Sequence, residues 1–176
     1  MAALVDRALL LLARGLMFLA GLGLALMMIQ TVADVVADNF WRRPIPGNLE
    51  VISVYHMVLV VFLPLAYVEW QHENIEVDLL WRLMPGWLQR AVLVLGYAVC
   101  VAFFAILARQ TWFDAMKAMA KDEMMMGNVY VLIWPAKFVL PIGFAAICLV
   151  SLRHAVHAAI DPDFSPDPAD PTEGHI

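Results

Sequence analysis

LQRAVLVLGYAVCVAFFAIL, residues 88–107, decides the fold. Beyond Arg90 it holds no Asp, Glu, Lys or Arg, and it mixes Val, Leu, Ala and Phe without a polar face. About 20 such residues cover the roughly 30 Å of a bilayer's hydrocarbon core when they coil as a helix. A helix is the form this requires, because each backbone N–H and C=O in lipid needs a partner inside the segment.

Three more stretches read the same way. Gly15–Val36 is apolar until Gln30 and Asp34. Leu49–Val68 begins beside Glu50 and contains His56 and Pro64. Val129–Leu152 is interrupted by Lys137 between Pro135 and Pro141. The class is therefore an all-α integral membrane protein of four spans, 15–36, 49–68, 88–107 and 129–152. No run of short alternating strands points to a barrel. Composition agrees: 63% of the 176 residues are apolar or aromatic and 15% are charged. Ordinary soluble domains have about 45–50% and about 25%, which excludes a soluble fold.

The connections carry interfacial markers. Trp41, Trp70, Trp81, Trp87, Trp112 and Trp134 all fall near span boundaries, where indole rings favour the headgroup level. Between the second and third spans, Val77, Leu80, Trp81, Met84 and Leu88 recur at helical spacing. Arg82, Gln89 and Arg90 supply a polar side. This predicts a short interfacial helix, interrupted at Pro85-Gly86. Residues 161–176 hold five acidic side chains, no Lys or Arg, and four of the 10 prolines, and read as a disordered tail. That tail accounts for the net charge of −5. With the body neutral, no basic face exists for phosphodiesters, and nucleic acid is excluded as a partner.

Charge does not orient the chain. Arg7, Arg14, Arg82, Arg90 and Arg153 lie on one side, against Arg42, Arg43, Arg109, Lys117 and Lys121 on the other. An even number of spans places both termini on the same side.

Candidate chemistry is sparse. Lys137 lies within the fourth span, where a lipid-facing ammonium costs about 2.5–3.5 kcal/mol at a helix centre. Glu50 and His56 share its leaflet, so a Glu50–Lys137 pair is geometrically possible. The group reads as an ion relay or as a polar clamp. The clamp is favoured, because a relay needs groups across the whole membrane and the third span has none. His56 is the only histidine placed inside a span, which leaves no matched pair of axial haem ligands. Cys100 and Cys148 form no CxxC, and no phosphate-binding glycine loop or HExxH is present. Met116, Met119, Met124, Met125 and Met126 crowd the third connection and suit an adaptable contact surface better than copper. Gly15, Ala20, Gly21, Gly23 and Ala25 give the first span a small-residue face for close helix approach.

Three blocks carry a family resemblance. They are Arg43-Pro-Ile-Pro-Gly-Asn-Leu-Glu50 ahead of the second span and His72-Glu-Asn-Ile-Glu-Val-Asp78-Leu-Leu80 after it. The third is Ile133-Trp-Pro-Ala-Lys137-Phe-Val-Leu-Pro141-Ile-Gly143 at the fourth. In order and placement, over about residues 15–155, they resemble the small membrane (DctQ-type) subunit of tripartite ATP-independent periplasmic (TRAP) transporters. The resemblance implies a non-enzymatic scaffold beside a large transport subunit, one to one. It implies sodium-coupled uptake of a small substrate, typically an organic acid, delivered by a periplasmic binding protein. No cofactor is implied, and sodium coupling would lie on the large subunit. The implied location is the bacterial inner membrane with both termini cytoplasmic. Glu50, His56, His72, Asp78 and Lys137 then become structural or subunit-interface candidates. An electron-transfer anchor and a self-sufficient small exporter are the alternatives.

Overall fold

The computed structural model describes residues 2–71, 86–127 and 129–160. The expected interfacial helix, His72, Asp78 and the acidic tail lie outside them.

Four helical passes run up and down, each long and apolar enough to cross a membrane. Helix α1 covers Ala2–Trp41, 40 residues. At 1.5 Å per residue this is about 60 Å, longer than a bilayer with its headgroups. The second pass is a series of pieces: α2 (Asn48–Val51), a π-helical segment (Ile52–His56), α3 (Met57–Phe62) and α4 (Leu65–Trp70). Helix α5 covers Gly86–Ala120, and a two-stranded antiparallel hairpin follows, β1 (Met124–Met125) with β2 (Val131–Leu132). The last pass is α6 (Trp134–Lys137) and α7 (Val139–Ile160).

Prolines set the breaks. Pro64 has no N–H, so the ladder is interrupted between α3 and α4 and resumes with the Tyr67 and Val68 N–H groups donating to the Pro64 carbonyl. Pro141 cannot donate to the Lys137 carbonyl and its ring crowds it, so the last pass restarts after Phe138. The turn into α2 uses Gly47 at φ 82, a left-handed conformation that glycine tolerates. A side chain there would also meet Val129 at 3.0 Å.

The helix of the fourth pass begins at Trp134, whereas the sequence pattern starts its apolar run at Val129. Val129, Val131 and Ile133 are β-branched, which lowers their helix preference, and Pro135 fits the first turn of the helix that follows. These residues instead pair with the Met-rich segment, Met124 opposite Leu132 and Met125 opposite Val131. At its other end the helix continues past Leu152 to Ile160.

The fourth pass is the centre of the bundle: 44% of its most apolar window is buried, against 0% for the third. It packs along α5 and against α3 and α4, with α1 on the second pass. Ala13, Ala66, Ala146, Ile147 and Val150 form the buried centre. Around them Phe144 meets Phe62 edge-on at 5.4 Å and stacks with Phe104 at 6.2 Å. Gly143 permits the closest approach, since a Cβ there would lie 2.5 Å from the Phe62 carbonyl oxygen.

Candidate functional site

Polar groups gather at the two ends of this bundle. At one end, Pro135 and Pro141 bracket the short helix α6, and Lys137 occupies its last turn. Its Nζ donates to Glu123 Oε2 at 2.6 Å, and the two side chains are 33% and 43% exposed. Glu50 does not fill that role. Its carboxylate lies against Gly127 instead, where an added Cβ would come within 2.5 Å of Oε1. The hairpin explains the exchange. Ile133 N–H donates to the Glu123 carbonyl, which draws the end of the third connection back beside α6.

The same end is tied to the second pass. Tyr55 Oη donates to the Leu132 carbonyl at 2.6 Å, and the Ile45 N–H donates to Asp34 Oδ1 at 2.7 Å. Asn48 is buried at the head of α2. His56 closes the π-helical segment with Nδ1 buried and without a hydrogen-bond partner among the described residues. The structure thus brings Glu50, His56 and Lys137 to one end, where no hydrogen bond or ion pair among the described residues links the three.

The opposite end holds a cluster that sequence reasoning did not assemble. Arg153 Nε donates to Asp6 Oδ1 at 2.6 Å, while its Cζ lies 4.3 Å over the Trp70 ring. Ser151 Oγ donates to Glu69 Oε1 at 3.1 Å. His154 is 1% exposed and stacks on Tyr97 at 5.7 Å, with Trp70 at 6.2 Å on another side. One residue or more from each pass meets here. The contact of Asp6 with Arg153 places the early part of α1 beside the late part of α7. Sequence reading took Trp70 and Arg153 only as boundary and orientation markers and set His154 beyond the last span. The available signal was Ser151 and His154 three apart on one helical face.

Chemically, both clusters fasten elements. Between them the bundle is filled by Phe62, Phe104, Phe144 and Ile147, and no group of three His, Cys, Asp or Glu suited to a metal occurs among the described residues.

No curated protein and no solved structure matches the chain. The family described as tripartite ATP-independent periplasmic transporters, DctQ component, matches residues 27–160. That stretch runs from the later part of α1 through all the remaining passes, and it contains the proline-glycine turn, Lys137 and both bracketing prolines. The chain belongs to the DctQ component family of TRAP transporters.

Proposed function

We propose that this small TRAP component is a fixed membrane scaffold for a large transport subunit, bound one to one. The complex takes up a small substrate, an organic acid, by sodium coupling, and a periplasmic binding protein delivers it. Substrate and sodium sites lie on the other components, and this chain performs no catalysis and carries no cofactor. It resides in the bacterial inner membrane with both termini cytoplasmic. The observation that carries the reading is the separation of polarity. Ion pairs fasten loops and helix ends, whereas the centre is packed with aromatic and aliphatic side chains. A further support is the outward stripe on α5, where Leu95, Val99, Phe103 and Ile106 are all exposed at helical spacing. Such a surface is matched by lipid or by another membrane protein.

Co-expression with a large TRAP membrane subunit tests the partnership. A tag on this chain is expected to recover both proteins in equal amounts from mild detergent. Recovery of this chain alone, monodisperse, with the large subunit fully functional without it, would reject the scaffold.

A further inference from the structure

A cleft of about 330 Å³ opens at the Lys137 end of the bundle, between the last turns of α5 and the start of the fourth pass. Thr111, Asp114, Lys117, Lys121, Glu123 and Lys137 line it, with Leu140 on the apolar side. Its charges are unequally satisfied. Lys137 and Glu123 neutralise each other at 2.6 Å. The Lys117 and Lys121 ammonium groups have no hydrogen bond or ion pair among the described residues, and the Asp114 carboxylate meets only the Gln110 amide there, at 3.5 Å. Two free ammonium groups and one carboxylate therefore face a space that would hold a small polar group.

The depth of the cleft is set by the packing of α5 on α7. Cys148 Sγ lies 3.6 Å from the Val101 carbonyl, and Trp112 meets Phe138 at 5.8 Å. Counting from those contacts, Lys137 stands level with Trp112, just beyond the apolar run that ends at Leu107. Trp112 and Trp134 both pack on Phe138, forming an aromatic band at that height. Trp at this level marks the membrane–water boundary. Side chains lean toward the N-terminus of their helix. On α5 this tilts Lys117 back toward the membrane, on α6 it tilts Lys137 outward, and Lys121 follows directly after α5 on the lining of the same cleft. The three lysines thus converge at headgroup height, with an apolar wall below them.

We propose that this cleft binds the head of a membrane phospholipid: Lys117 and Lys121 hold the phosphodiester, Asp114 accepts from a hydroxyl or ammonium of the head, and the acyl chains descend past Leu140. A soluble phosphate shares the anionic chemistry but lacks the apolar part. An acidic protein surface is the competing occupant, and the small volume beside an aromatic band favours the lipid.

The test uses the purified chain in detergent, titrated with dioctanoyl phosphatidylglycerol or with sodium phosphate while thermal unfolding is followed. The lipid is expected to raise the melting temperature saturably, and sodium phosphate at equal concentration to leave it unmoved. Lys117→Gln with Lys121→Gln is expected to raise the half-saturating lipid concentration about tenfold, since two solvent-screened charge contacts are lost while the amides keep a donor. Both residues are exposed, so the variant retains its fold, and unchanged melting without lipid verifies this. An identical lipid response in the variant would overturn the proposal. So would a full shift from sodium phosphate alone, which would mark a free-anion site. Loss of binding-protein-dependent uptake in the variant, with lipid response intact, would assign the cleft to a protein partner instead.

Discussion

Lys137 illustrates how a lysine at the start of a span is paired. Its ammonium reaches Glu123 at 2.6 Å, but both side chains are about a third or more exposed, so solvent screens the attraction. A double-mutant cycle on Lys137→Met and Glu123→Gln is expected to give a coupling of about 0.5 kcal/mol in detergent unfolding. A coupling of several kcal/mol would indicate a dry, buried pair. In the assembled transporter, Lys137→Met is expected to leave sodium and pH dependence unchanged, because the lysine ends in a clamp. Arg153 is more demanding, since it both bonds Asp6 and lies over Trp70. Arg153→Lys keeps the charge but loses the planar stacking group, and is expected to cost about 1 kcal/mol in the same assay. An unchanged melting point would show that the cation–π contact contributes nothing. The importance of Lys137 was legible in the sequence from its two prolines and its apolar surroundings. Its partner was not, because Glu123 arrives through a hairpin whose strands contribute only two residues each.

At the scale of elements, proline and glycine decide where helices break and how closely they pass. Gly143 faces the Phe62 carbonyl at a separation that no side chain fits, whereas the Cβ position of Gly96 on α5 is open. Gly143→Ala is expected to push the second and fourth passes apart and cost about 1–3 kcal/mol, read as a lower melting temperature. Gly96→Ala is expected to be neutral or to stabilise by up to about 1 kcal/mol, through the better helix propensity of alanine. Equal effects of the two would refute the close crossing. The four passes themselves were legible from apolar length alone. The start of the last was not: a run of apolar residues satisfies the length criterion as strand or as helix, and only the β-branched residues before Pro135 separate the two.

For the whole molecule, the bundle is centred on its fourth pass, with α5 along one side and the most uniformly apolar stretch facing outward. Sequence could not reveal this arrangement, since in a membrane both lipid-facing and core-facing residues are apolar. Family membership makes the chain a small component of a TRAP transporter, and the end-to-end separation of polar clusters supports the scaffold role proposed for it. Uptake in sodium-loaded gradients tests this most directly, using proteoliposomes that contain this chain alone, the large subunit alone, or both, with the binding protein and an organic acid outside. The account predicts substrate accumulation only in vesicles holding both membrane proteins, whereas accumulation in vesicles holding this chain alone would contradict it.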